Sequence, residues 1–253
     1  MKKFWKKTSL FLVTAAMTVS APLMAWALEH DIVILHTNDI HCGINDNIGF
    51  AGLAQIKKDA LARTPNVALV DAGDAIQGAP IGKLSRGLAV VNIMNYLGYD
   101  FCIPGNHEFD YGMDRFLELV PLQRAGYYCA NFVYAGNNKQ VLPGYKIMQY
   151  EDTKVAFVGA STPESLTTST PTFFQNEKGK YIYSFCEDKT GNKLYKQLQK
   201  NVDKARKDGA DYVFIVGHLG MDGTTPQWSS ESVAKNTQGV DAVIDGHSHE
   251  RFT

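Results

Sequence analysis

The sequence predicts an α/β fold built on a largely parallel sheet, and three observations carry that reading. From Asp31 onward, short β-branched runs alternate with longer amphipathic stretches, the pattern of successive βαβ units. Hydrophobic residues make up 45% and charged residues 20% of 253 positions, enough for a buried core and too ordinary a mixture for a disordered or fibrous chain. Polar clusters rich in Asp, Asn and His fall directly after the predicted strands, where an open α/β sheet forms its ligand crevice.

The elements follow in order. Ile32-Val33-Ile34-Leu35 reads as the first strand, and a helix is expected from about Gly52 to Ala62. Val67 to Val70 is the second strand, Leu88 to Leu97 a helix, Phe101 to Ile103 the third strand, and Met113 to Ala125 a helix with Asp110 or Asp114 near its positive end. Gly144 to Tyr150 and Val155 to Val158 suggest strands around a turn centred on Asp152. Residues 161–189 hold Thr, Ser, Asn, Lys and two prolines with no sustained period, so a long surface excursion is expected. A helix from Asn192 to Lys207 stops near Gly209, and strands follow at Tyr212 to Val216 and Val240 to Ile244. With no repeat and no low-complexity linker, residues 28–253 read as one domain.

Ahead of that domain, Lys2, Lys3, Lys6 and Lys7 precede an apolar run that leads to Ala25-Trp26-Ala27. A charged start, a short apolar stretch and an A-x-A site define a secretory signal peptide, with cleavage after Ala27 and export as the expectation. Thr14, Thr18, Ser20 and Pro22 interrupt the run, which falls short of the roughly 20 apolar residues a membrane span needs. Cleavage removes four lysines and no acids, leaving the remainder acidic, with no basic stretch to track a nucleic-acid backbone. A small phosphorylated substrate needs no such patch, and polymeric DNA or RNA is not expected as a partner. Cys42, Cys102, Cys129 and Cys186 are far apart and never form C-x-x-C, against a zinc knuckle; in an exported protein one or two disulfides are possible.

Chemistry is concentrated in five clusters: Asn38-Asp39-Ile40-His41, Asp71-Ala72-Gly73-Asp74, Gly105-Asn106-His107-Glu108, Gly217-His218 and Asp245-Gly246-His247-Ser248-His249. Five of the seven histidines lie inside them. Imidazole and carboxylate without thiolate suit zinc, manganese or iron, and a carboxylate can bridge two ions. Two cations roughly 3.5–4 Å apart clamp the attacking and leaving oxygens of an in-line displacement at phosphorus. Taken singly, each residue has a plain structural use: Asp39 as a cap, His41 in a solvated loop, Asp74 in a turn, Asn106 in a left-handed position, Asp110 as a helix N-cap. His247 and His249, two apart, share one side only if the backbone there is extended.

Together, D-x-H at Asp39 to His41, G-D at Gly73 to Asp74, G-N-H-E at Gly105 to Glu108, G-H at Gly217 to His218 and G-H-S-H at Gly246 to His249 resemble the ordered blocks of the calcineurin-like metallophosphoesterases. Leu35 to His41 and the string Gly105 to Gly112 are closer still to the 5′-nucleotidase and UDP-sugar hydrolase branch. The resemblance implies an αββα sandwich of two mixed sheets flanked by helices. It further implies two divalent metal ions, one on Asp39, His41, Asp74 and His249, the other on Asp74, Asn106, His218 and His247, with Asp74 bridging. His107 and Asp110 match the family's catalytic pair. The nucleophile would be metal-bound water, with no covalent intermediate. Glu108, His36 and Asp71 would support the ligands, and Cys42 would be a buried thiol or disulfide partner; His30 has no assignable role.

The implied activity is nucleotide hydrolysis of 5′-nucleotidase type, with 2′,3′-cyclic-nucleotide phosphodiesterase/3′-nucleotidase and UDP-sugar hydrolase as alternatives. The sequence stops four residues after His249. The resemblance implies further strands and a separate nucleotide-binding domain beyond that point, so the expectation is a catalytic domain cut short at its C-terminus. A non-catalytic metal-binding remnant is the competing reading, and a surface adhesin a third that nothing in the composition favours.

Overall fold

Strand periodicity sorts the chain into two facing sheets. The computed structural model describes residues 31–221 and 224–250; the expected signal peptide, residues 1–27, and His30 lie outside them. In chain order the first half comprises β1 (Val33–Thr37), α1 (Gly49–Leu61), β2 (Val67–Asp71), α2 (Pro80–Ser85), α3 (Leu88–Leu97), β3 (Phe101–Cys102) and α4 (Met113–Leu119). The second comprises β4 (Val133–Tyr134), β5 (Tyr145–Tyr150), β6 (Thr153–Ser161), α5 (Ser165–Thr168), β7 (Tyr183–Ser184), α6 (Asn192–Lys207), β8 (Tyr212–His218), α7 (Ser230–Asn236) and β9 (Ala242–Ile244).

One sheet is β1-β2-β3, wholly parallel; the other is β5-β6-β8-β9, in which β5 runs antiparallel to β6 and the rest are parallel. Strands β4 and β7 form a small antiparallel ladder. Alternation along each strand builds the layers. Ala68 and Val70 of β2 and Phe101 of β3 meet Val155 and Phe157 of β6 and Val216 of β8 between the sheets. On the opposite face of the first sheet, Leu69 packs with Leu53 of α1, Val90, Val91 and Met94 of α3, and Phe116 of α4. On the outer face of the second, Ala156, Val158, Val213 and Ile215 cover Leu194, Leu198, Val202 and Ala205 of α6. Helix, sheet, sheet and helix thus stack as αββα, and each large side chain fully withdrawn from water contributes about 1.5–3 kcal/mol.

Several expectations need correction. The helix from Met113 ends at Leu119, because Pro121 has no amide to continue the ladder and the chain tightens into a 3₁₀ turn over Val120–Leu122. Pro80 opens a helix too short to show a period in sequence. Residues 161–189 are a surface excursion only in part, exposed over 176–182 and packed into the core on either side. Phe174 and Phe185 are fully buried, their rings 5.2 and 5.5 Å from Phe109, and the Asn131 amide donates to Ser161 O and Phe185 O at 2.7 and 2.8 Å. This segment is neither continuous helix nor strand, so its buried residues follow no period. All four cysteines are buried, unpaired thiols. No helix among the described residues is long and apolar enough to cross a membrane.

Candidate metal centre

The polar clusters meet because their strands end side by side. Beyond β1, Asp39 N donates to Gly73 O at 3.0 Å and His41 N to Asp74 O at 2.9 Å, so the loops after β1 and β2 continue in step. Asp39, His41, Asp74, His247 and His249 all take left-handed backbone, with φ of 50°, 46°, 59°, 84° and 54°. Non-glycine residues adopt this region at a cost of roughly 1–3 kcal/mol each, and such outliers cluster at functional sites. His247 and His249 are therefore not extended, contrary to the simple alternation argument. A sharp turn aims their rings instead, with His247 N donating to Asp39 Oδ2 at 3.0 Å. Asp74 does occupy a left-handed turn, whereas Asn106 is right-handed at φ −73°.

Two groups of donor atoms result, Asp39, His41 and His249 in one, Asp74, His218 and His247 in the other, each with its atoms within 4.8 Å of one another. In the first, His41 Nε2 is 3.3 Å from His249 Nε2, and Asp39 Oδ1 is 3.2 Å from His249 Nε2. In the second, His218 Nε2 is 2.9 Å from Asp74 Oδ2 and 3.2 Å from Asn106 Oδ1. Asp74 lies between them, its Oδ2 also 3.9 Å from His41 Nε2. Asp39, Asp74, Asn106 and His218 are withdrawn from water, while His249 is exposed at the rim.

Electrostatics follow from this crowding. Burial alone would depress the His218 pKa, but the Asp74 and Asp39 carboxylates outweigh it and lift the imidazole to about 9. Burial would raise Asp74, yet His218 beside it brings the carboxyl down to about 2. Two of the histidines, His218 and His41, have the outer nitrogen occupied by a backbone carbonyl. His218 Nδ1 donates to Ala72 O at 2.8 Å, and His41 Nδ1 to Gln77 O at 3.1 Å. Their Nε2 atoms are thereby aimed inward, the arrangement by which backbone carbonyls orient metal-binding imidazoles. Inward imidazole nitrogens among carboxylate and amide oxygens, with no thiolate, fit a pair of divalent cations.

His107 and Asp110 stand beside the groups. His107 Nδ1 is 2.6 Å from Asp110 Oδ2, and Ser169 Oγ donates to Asp110 Oδ1 at 3.0 Å. The hydrogen bond that His107 donates to Asp110 leads the causes that raise the His107 pKa, against its burial. Asp110 is not the N-cap of α4, a place taken by Gly112; it closes the 3₁₀ turn His107–Phe109, its N–H donating to His107 O. Glu108 is buried and accepts four backbone N–H groups, from Asp74, Ala75 and Ile76 at 2.8, 2.8 and 3.2 Å and from Gly105 at 2.6 Å. It clasps the loops that carry Asp74 and Asn106. Asp71 accepts from Thr37 Oγ1 and Gly73 N at 2.8 and 3.2 Å. His36 is exposed on β1 beside the cleft at β9 and does not back the ligands. The Cys42 thiol is buried and points to Ala75 O at 3.5 Å, its pKa pushed up to about 12 by burial.

One residue escaped the sequence reading. Glu164, just past β6, places Oε2 3.3 Å from His247 Nε2 and accepts from Thr225 N at 2.7 Å and Thr225 Oγ1 at 2.5 Å with Oε1. The rule that located the other clusters, polar residues directly after a strand, applies here too. It missed Glu164 because the strand was expected to end at Val158, and it runs on to Ser161.

Residues 32–251 match the family described as Calcineurin-like phosphoesterase. A snake venom 5′-nucleotidase of Gloydius brevicauda is 29% identical over 95% of this chain and 40% of its own length. A 2′,3′-cyclic-nucleotide 2′-phosphodiesterase/3′-nucleotidase of Haemophilus influenzae is 26% identical over 94% of the chain and likewise 40% of its own. Among solved structures, the calcineurin-like phosphoesterase YfkN from Bacillus subtilis superposes with a TM-score of 0.73 at 25% identity, covering 87% of this chain and 73% of that one. The chain thus spans about two fifths of the length of these curated relatives.

Proposed function

The chain belongs to the calcineurin-like phosphoesterase family, and we propose that within it the chain hydrolyses phosphoesters of small nucleotides, as a 5′-nucleotidase does. One observation carries this reading: two groups of nitrogen and oxygen donors lie side by side, Asp74 of the second reaching to 3.9 Å from His41 of the first, with the His107–Asp110 pair alongside. Asp39, His41, Asp74 and His249 would hold one divalent cation, and Asp74, Asn106, His218 and His247 the other. When bound, the pair supplies positive charge that polarises phosphoryl oxygen and makes water acidic enough to attack near neutral pH.

The chain's own residues do the remainder. Asp110 holds the proton on His107 Nδ1 and fixes the ring, which keeps Nε2–H free to donate to phosphoryl oxygen as charge builds there. Hydrolysis forms one bond from water oxygen to phosphorus and breaks the bond from phosphorus to the leaving alcohol, whose oxygen takes up a proton. No side chain forms a covalent intermediate. The likeness to the Haemophilus relative supports a second reading, opening of a 2′,3′-cyclic phosphodiester.

Phosphate release from 5′-AMP and an aryl phosphate, and ring opening of 2′,3′-cyclic AMP, would be measured with the manganese- or zinc-loaded chain and with His107→Ala. Turnover that needs both metal and His107 supports the proposal; the preferred substrate separates the two readings. A folded, metal-loaded chain that turns over none of these leaves the non-catalytic remnant standing. Export rests on residues 1–27, and amino-terminal sequencing of exported protein should begin at Leu28.

A further inference from the structure

We propose that Glu164 is a positioning residue for His247: it fixes which ring nitrogen faces the second donor group. The inference rests on the two-cation reading above. His41 and His218 have Nδ1 tied to a backbone carbonyl, so their Nε2 atoms face inward. Among the described residues, no backbone carbonyl holds a ring nitrogen of His247. Its Nε2 meets Glu164 Oε2 at 3.3 Å instead, with both side chains largely screened from water, at 13% and 18% exposure. A carboxylate accepts only, so Nε2 carries the proton and the Nδ1 lone pair is left for a cation.

Glu164 is itself built to hold that direction. Its other oxygen is clasped by the amide and hydroxyl of Thr225, in the loop after β8. Its backbone is tied into the turn after β6, where Glu164 N donates to Thr162 Oγ1 at 3.2 Å and Thr162 N to His218 O at 2.8 Å. One carboxylate therefore couples the ends of β6 and β8 to the loop after β9. The consequence is local. His247 stands against His218, their ring centroids 4.9 Å apart, while Asp39, His41 and His249 form the other donor group.

The test is calorimetric titration of the metal-free chain with manganese or zinc, together with ¹⁵N shifts of the His247 ring. Unaltered protein should bind two cations and show a protonated Nε2. Glu164→Ala should weaken one of the two by about 10–100-fold, leave the other within about twofold, and abolish the Nε2–H signal. Glu164→Gln, whose amide oxygen still accepts, should restore most of the affinity. Thr225→Val keeps the carboxylate and removes one clasp, and should give an intermediate loss. If unaltered protein binds two cations and Glu164→Ala binds both as tightly with the same His247 tautomer, the positioning role is wrong and the phosphoesterase reading is untouched. If unaltered protein binds no divalent cation, both fall.

Discussion

His107 and Asp110 sit three residues apart in one short turn, with Nδ1 2.6 Å from Oδ2, and Ser169 holds the carboxylate's second oxygen from another segment. The imidazole is thus fixed in orientation and favoured in its protonated form. His107→Ala should lower turnover by about 10²-fold or more while leaving two cations bound, measured by kcat and metal stoichiometry. Asp110→Asn removes the charge that raises the His107 pKa. The protonated imidazole would then be lost at lower pH, so the alkaline limb of kcat/KM should move to lower pH, not higher.

His218 offers a second pH-dependent readout, in the metal-free state. Its pKa in the folded chain, about 9, lies above the ordinary 6.5. The stability from its pairing with Asp74 is fully present below about 6.5 and is lost as pH rises through about 9. The melting temperature of metal-free protein should fall across that window. Cation binding at this group requires neutral His218, so uptake below pH 9 should release a proton, and saturating metal should flatten the fall. Scanning calorimetry with and without chelator measures both, and a metal-free melt that is level from pH 6.5 to 9 would contradict the pairing.

Glu108→Ala would strand four N–H donors that its carboxylate now accepts, between loops buried under the site. Unsatisfied buried donors cost about 1–3 kcal/mol each without adding in full, so a loss of roughly 3 kcal/mol or more is expected in chemical denaturation. Glu108→Gln retains one accepting oxygen and should lose less. A surface role for Glu108 would give under about 0.5 kcal/mol for either.

That the polar clusters would come together was legible in sequence because they follow strands, and strand runs such as Val67 to Val70 and Tyr212 to Val216 are strongly patterned. What aims them was not. The left-handed turns at His247 and His249 leave no periodic trace, and only the hydrogen bond from His247 N to Asp39 shows why the chain turns there. Phe174 and Phe185 are core residues in a segment whose composition reads as surface, because coil pinned by Asn131 buries side chains without a repeat. Glu164 shares that segment and was hidden because the strand before it runs on to Ser161, past the expected end at Val158.

Two glycines should separate the donor groups experimentally. Gly78 has φ +144°, and a Cβ there would come within 2.1 Å of His41 O and 2.7 Å of His41 Cβ. Both atoms are held, since Ala79 N donates to His41 O at 2.9 Å, so Gly78→Ala must push the loop that carries His41. Gly105 is different: its Cβ would fall 2.3 Å from Asp74 Oδ1, the oxygen that accepts from His107 N at 2.8 Å. Because Asp74 lies between the groups, Gly105→Ala should weaken both cations, and Gly78→Ala only the one held with Asp39 and His249. Calorimetric metal titration reads the two constants directly. A Gly105→Ala loss confined to one constant would mean that Asp74 is not shared, and that the centre divides into two independent sites.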